Sequence, residues 1–425
     1  MKNLYYYLLK QATSFRCGIT MPFQEVIPNF SDIGGIYNIS VPRDSAKNWA
    51  TSSGCIDFDK ENAICGAIAE AMERYCGALI SFQIKNKAEL KGKSVIQLEK
   101  FALFSDEQYS NPEFIWKKPV DDGVFYGKMY SVYDNEEVWI PHELIGLGTK
   151  TSKAAVPSTS TGIASHTDKW LALLRAIQEI LERDAFTVYW VNSLPGREIK
   201  LDDRYLKPVK EKHGEIFCFD ITQDWNPNPV VAICGFIKQR NLKRISMGVA
   251  CRSNYEDAIK KAYLEWVQGT IFAVYYKMSM PNIRLGNPSQ ISDFDEHAAY
   301  YTIHPEKWEC VPIIKNRKGF DRGGIFRSLR KNEPDNPKTI LKNLLKAIIK
   351  EKIEIFYKDI TLPDVRQTGL WVIRAVSPQL SLIHGDESAA FLGGRTGDVK
   401  WRYKELYKSN KTGMDFPNKF PHPLG

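Results

Sequence analysis

Residues 169–190 read KWLALLRAIQEILERDAFTVYW. At about 100° per residue, counted from Ile177, the side chains of Trp170, Leu173, Leu174, Ile180 and Leu181 fall within about 60° of one line. The stretch therefore predicts a helix with that face in the core. On the same wheel Glu179 stands at about 200° and Glu182 at about 140°, two carboxylates side by side away from the core face. For a single Glu-x-x-Glu-Arg, a solvated helix face is the better explanation. A near-copy shifts that balance: residues 67–74 read AIAEAMER against AIQEILER at 176–183. Stepping from Ile68 places Ile64 and Met72 on the apolar side and Glu70 and Glu73 at the matching angles. A third segment, 262–268 (AYLEWVQ), offers Glu265 and Gln268 one turn apart. Solvation needs no such repetition, whereas a hard divalent cation needs carboxylates converging from several elements. Magnesium bridging nucleotide phosphates is the commonest occupant of such a set.

The 425 residues suffice for a large core, and 43% hydrophobic with 25% charged residues is ordinary for a globular protein. No run of 18 apolar residues occurs, so no membrane-spanning helix is expected. The opening MKNLYYYLLKQ lacks the pattern of an export signal. Eight cysteines are scattered without a CxxC pair. Zinc is not expected from that spacing, and reduced thiols in a cytoplasm are. The net charge of +8 comes without a groove-reading motif or an aromatic-basic strip, which argues against nucleic acid.

Along the chain, glycines 18, 34 and 35 punctuate short strands over 16–41, and TSSGCIDF (51–58) leads into a first helix from about Asp59. Residues 84–150 predict a sheet segment with strands at 125–132 and 138–140. The hydroxyl-rich PSTSTGIASHT (157–167) runs into the organising helix, with Thr167 or Asp168 as its cap. Strands are expected at 215–221, 230–237 and 245–251, loops with short elements at 280–336, and an amphipathic core helix at 337–350. Strands at 352–360 and 371–376 follow, before a tail closing in NKFPHPLG. No Walker A loop exists, since 148–151 (GTKT) has the wrong order. No HExxH, GxSxG or dinucleotide fingerprint occurs, and no two histidines stand at ligand spacing.

The paired E-x-x-E-R helices, STGIASH at 160–166 running into EILERDA at 179–185, the A-x-x-E-x-x-Q segment and the Pro-x-Pro ending resemble the YcaO-domain family over roughly 16–425. The resemblance implies an α+β, YcaO-type fold: one domain over 1–425 with a core at about 16–390, in which several small β-sheets and helices surround a carboxylate-lined site for ATP and Mg2+. It implies Glu70, Glu73, Glu179 and Glu182 as metal ligands, and Ser53, Arg74, Arg183, Glu265 and Gln268 around the nucleotide. Members with a Pro-x-Pro tail are azoline-forming cyclodehydratases, so Pro421, Pro423 and Gly425 of the 391–425 tail become candidates for proton transfer or for ordering the pocket.

The implied substrate is a ribosomal precursor peptide whose Cys, Ser or Thr becomes thiazoline or oxazoline. The implied partners are a separate leader-peptide-binding, E1-like protein and an FMN-dependent dehydrogenase, in a hetero-complex or oligomer. A YcaO enzyme forming thioamide or amidine, or a silent peptide-binding scaffold, are the alternatives. The chain departs from the family pattern at Gly66, where a serine is usual, at Gly54-Cys55-Ile56, and at Gly425, where proline is usual.

Overall fold

The computed structural model describes residues 2–14, 18–27, 32–42, 53–118, 123–148, 158–283, 285–319, 336–409 and 415–425. Parts of the stretches read above, namely 16–17, 28–31, 51–52, 119–122, 149–157, 284, 320–335 and 410–414, lie outside the described residues. In chain order the longer helices, with the shorter α3, are α1 (Lys2–Gln11), α2 (Lys60–Leu79), α3 (Asp106–Ser110), α4 (Lys169–Val191), α5 (Asp203–Glu211), α6 (Tyr255–Ser279) and α7 (Phe294–Ile303). The strands are β1 (Gln24–Glu25), β2 (Ile36–Ser40), β3 (Ser53–Asp57), β4 (Ile84–Asn86), β5 (Phe125–Ser131), β6 (Glu137–Pro141) and β7 (Ile163–His166), then β8 (Arg197–Glu198), β9 (Glu215–Asp220), β10 (Val230–Gln239), β11 (Leu242–Cys251), β12 (Lys318–Gly319), β13 (Phe356–Asp359) and β14 (Trp371–Val376). This is the mixed α+β architecture expected from the sequence, with three separate sheets among the described residues. Among the described residues no helix is long and apolar enough to cross a membrane.

Two compact units divide the chain: Met1–Ile27, Gly35–Ile180 and Asp335–Leu380 in the first, Pro28–Gly34, Leu181–Pro334 and Ser381–Gly425 in the second. The boundary falls inside α4, so Glu179 is counted with the first unit and Glu182 with the second.

In the first unit β1-β2-β3 form an antiparallel sheet, and β4-β5-β13-β14-β7 form another in which β6 also pairs with β5. Helix α2 starts where Asp59 accepts the Asn62 N–H at 2.9 Å. Its apolar residues Ile64, Ile68 and Met72 join Leu147, Ile163, Val365 and Val372 in one buried cluster. The opening stretch, read above only for export, forms α1 and sends Leu9 into that core. Asp168 caps α4 by accepting from the Trp170 and Leu171 amides at 2.7 and 3.0 Å. Leu173, Leu174, Ile177 and Ile180 are buried as the wheel predicts, but Trp170 is 40% exposed. A helical wheel gives direction and not depth, and Trp170 lies in the first turn, its ring under the Lys338 ammonium at 4.7 Å. The amphipathic stretch forms Pro337–Ile348 and buries Leu341, Leu344 and Ile348.

In the second unit the order is β11-β10-β9-β8-β12, antiparallel except for the β8–β12 pair. Helix α6 lies against β10 and β11, and α7 packs on α6 and β11. The approach is close at Gly248, where a Cβ would meet the Ala262 carbonyl oxygen at 2.1 Å. Residues expected as loops beyond 280 include the ten-residue helix α7 and two one-turn helices, Pro305–Trp308 and Pro312–Lys315. Toward the chain end Val399–Arg402 and Lys404–Ser409 are helical, and Pro421, His422, Pro423 and Leu424 are buried.

Candidate functional site

In the first unit two strands aim backbone N–H groups at the carboxylates of α2. Gly54 on β3 donates to Glu70 Oε2 at 3.2 Å. Ser165 on β7 donates twice to Glu73 Oε1, from its amide at 2.7 Å and from its hydroxyl at 2.8 Å. Arg74 stands 3.6 Å from Glu70, one turn further along α2. Glu73 is half-buried, and the protein crowded around it raises its carboxyl to about 8. The Ser165 hydrogen bonds oppose that rise, and the nearby charges of Glu179 and Glu70 add to it. Glu73 thus lies within reach of the charges of two further carboxylates, in a setting that disfavours its own. A hard cation relieves both the desolvation and the repulsion, so these oxygens fit Mg2+.

Arg374 on β14 completes the surroundings, and nothing in its strand-like sequence marked it. Its guanidinium is fully buried and donates to the carbonyls of Leu144, Thr159 and Thr161 at 2.6–2.9 Å. Burial pushes it down to about 10, Glu179 pulls it back up, and Arg74 adds to the depression. Through these bonds Arg374 holds part of the hydroxyl-rich loop. Within that loop Thr159 Oγ1 bonds to Thr161 Oγ1 at 3.0 Å, and Gly162 takes φ +87° against the Ala375 carbonyl. Ser53 lies buried on β3 with a hydroxyl that has no hydrogen-bond partner among the described residues. The departure at Gly66 has a local cause: a Cβ there would meet Cys55 Sγ at 2.4 Å, so the Cys55 side chain fills the space a larger residue 66 would occupy.

The second unit repeats the device on its own sheet. Glu265 on α6 accepts from the Val249 amide at 3.3 Å and pairs with Lys261 at 3.2 Å. Glu182 accepts from the Cys251 amide at 2.9 Å and lies 3.6 Å from Arg183 Nε. Glu182 is buried, not solvated as the opposite face of an amphipathic helix would be. Gln268 is half-buried one turn beyond Glu265. The structure therefore brings Glu70, Glu73, Glu179 and Arg74 together in one unit, and places Glu182, Arg183, Glu265 and Gln268 in the other.

Pro421, Pro423 and Gly425 belong to a packed segment. Trp190 Nε1 donates to the Phe420 carbonyl at 2.7 Å, and the Tyr301 hydroxyl donates to the Pro421 carbonyl at 2.8 Å. Gly425 packs against Ala298, where a Cβ would come within 2.8 Å.

A family model described as "YcaO cyclodehydratase, ATP-ad Mg2+-binding" matches residues 57–381. The chain belongs to the YcaO family. This YcaO chain resembles a solved heterocyclase in complex with substrate and cofactor, at TM-score 0.77 and 17% identity, over 99% of its own length and 57% of that chain. It spans about half of the heterocyclase TruD as well, at 51% of that chain, 84% of its own, TM-score 0.61 and 19% identity. The YcaO of Methanopyrus kandleri, solved with AMPPCP and Mg2+, matches at TM-score 0.61 and 12% identity, covering 91% of each chain. A component of the E. coli microcin synthetase McbBCD complex matches at TM-score 0.61 and 16% identity, over 92% of this YcaO chain and 98% of that one. No curated protein matches by sequence.

Proposed function

We propose that this YcaO chain is the ATP-dependent cyclodehydratase subunit of a system that builds azolines in ribosomally made peptides. The observation that carries the reading is Glu73, a carboxyl of a YcaO-family chain held by Ser165 amid the charges of Glu70 and Glu179. From the family resemblance we assign Glu70, Glu73, Glu179 and Glu182 as Mg2+ ligands, and Ser53, Arg74, Arg183, Glu265 and Gln268 as nucleotide contacts. When bound, Mg2+ supplies charge neutralisation on the transferring phosphoryl group.

In the proposed reaction a Cys, Ser or Thr side chain of the peptide adds to the preceding amide carbon, and the amide oxygen takes the γ-phosphoryl group of ATP. The addition closes the five-membered ring and frees the side chain's proton, phosphoryl transfer releases ADP, and departure of phosphate with loss of the amide nitrogen's proton forms the C=N bond. An amide oxygen is a poor leaving group and phosphate a good one, so the chain's residues have mainly to position two reactants. Pro421, Pro423 and Gly425 are assigned to ordering the peptide pocket. A separate leader-peptide-binding, E1-like partner and an FMN-dependent dehydrogenase fit the reading, since the neighbours include a multi-subunit synthetase and a longer heterocyclase.

Calorimetry of ATP with Mg2+ on the chain, beside Glu73→Gln and Glu182→Gln, tests the proposal. Binding to the parent that is lost in both variants and absent without Mg2+ is the expected result. No binding to the parent, with the partner protein also added, overturns it.

A further inference from the structure

The sequence holds no continuous aromatic-basic strip, but the first unit assembles one from three distant segments. Lys169 and Trp170 open α4, Arg366 precedes β14, which begins at Trp371, and Lys338, Lys342 and Lys346 lie on the Pro337–Ile348 helix. The Arg366 guanidinium lies 3.6 Å from the centre of the Trp371 ring, and the Lys169 ammonium 5.2 Å from it. Next along α4, Trp170 is 40% exposed, with the Lys338 ammonium 4.7 Å from its ring. Consecutive residues of α4 thus join two sets of cation–indole contacts.

From Lys338 the strip continues along the helix. Lys338, Lys342 and Lys346 recur at every fourth residue and form one exposed row, while Leu341, Leu344 and Ile348 are buried in the unit. The helix contains no Asp or Glu. Among the described residues neither these three lysines nor Lys169 pairs with a carboxylate. The acids close by are already engaged, since Asp359 pairs with Arg366 at 2.7 Å and Asp168 caps α4. Like charges one turn apart weaken a helix, and a bound anion relieves that repulsion.

We propose that this strip docks an acidic, extended stretch of the peptide on which the chain acts. Lysines four residues apart on a helix are spaced about 6 Å along its axis. Alternate side chains of an extended polypeptide follow one another at about 6.6–6.8 Å along one face. Carboxylates on every second residue therefore meet successive lysines, and exposed Trp170 offers an apolar anchor beside them. Two other polyanions fit less well. Nucleobases stack on open aromatic faces, and each of these indoles already holds a cation of this chain over its ring. A lipid surface takes up the apolar face of a helix, and here that face is buried in the unit. Assigning the acidic stretch to the precursor peptide rests on the cyclodehydratase reading, whereas the strip shares no residue with the ATP and Mg2+ assignments.

The test is calorimetry of the full chain with a synthetic peptide of about 12 residues that alternates Glu and Thr, beside its Gln-Thr counterpart. The expected result is binding of the Glu peptide alone, weakening as salt is raised. Lys342→Glu combined with Lys346→Glu is expected to lower that affinity about 10-fold or more and to leave MgATP binding and the thermal melt unchanged. Glu73→Gln is expected to do the reverse, keeping the peptide and losing ATP. No binding of the Glu peptide, equal binding of the Gln peptide, or an affinity undiminished by the two charge reversals overturns the proposal. So does tighter binding of oligothymidylate or of phosphatidylserine vesicles than of the Glu peptide. A parent that binds the Glu peptide but no ATP keeps the docking strip and overturns the cyclodehydratase reading.

Discussion

At the scale of single residues, Glu73 carries a pH signature. Its folded-state value of about 8 lies above the 4.5 of an ordinary glutamate, so between those values the folded chain keeps a proton that the unfolded chain releases. Folding stability without nucleotide is therefore expected to fall as pH rises from about 4.5 through about 8, and Glu73→Gln to flatten that slope in thermal melts across this range. Because a cation displaces the same proton, Mg2+ affinity is expected to strengthen over this window. Arg374 makes the opposite kind of prediction. Replacing it with methionine strips donors from three buried carbonyls and is expected to cost about 3 kcal/mol or more in urea unfolding. Glu73 was legible because its motif occurs twice. Arg374 was not, because an arginine inside an apolar strand takes its meaning from carbonyls more than 200 positions away.

Between elements, α4 is more than the carrier of two glutamates. Asp184, in the same ERDA run, is fully buried and receives Arg402 through Nη2 at 2.6 Å and Nε at 2.9 Å, the Ser381 amide at 2.8 Å and Gln223 at 3.0 Å. One carboxylate thereby joins α4 to the 399–402 helix and to the turns at 223 and 381. Asp184→Asn leaves the Arg402 charge buried without its partner and is expected to destabilise the second unit by about 3–5 kcal/mol, read by hydrogen exchange on α4 and the 399–402 helix. The sequence placed ERDA on a helix by periodicity but could not separate its roles, with Glu182 meeting a strand amide and Asp184 a buried guanidinium. Those roles depend on which strand and which helix pack against α4.

For the whole molecule, the 421–425 segment is built into the second unit. Removing those five residues takes away the acceptor of Tyr301 and uncovers His297. The expected result is faster hydrogen exchange in α7 and a loss of peptide turnover far larger than any loss of MgATP affinity; equal losses in both would point to collapse of the unit. By itself the sequence determined the mixed helix-and-sheet class, most helix and strand positions, the cap at Asp168 and the paired acidic helices, since local periodicity, capping and turn chemistry act over a few residues. Tertiary structure alone decided that Trp170 stays exposed and that Glu182 is buried, that Gly54 and Ser165 are the donors facing Glu70 and Glu73, and that Arg374 and three distant histidines are buried. Each of these depends on contacts between different elements, from 16 to 230 positions apart in the chain, or on how deep a residue sits, and chain spacing carries no measure of either.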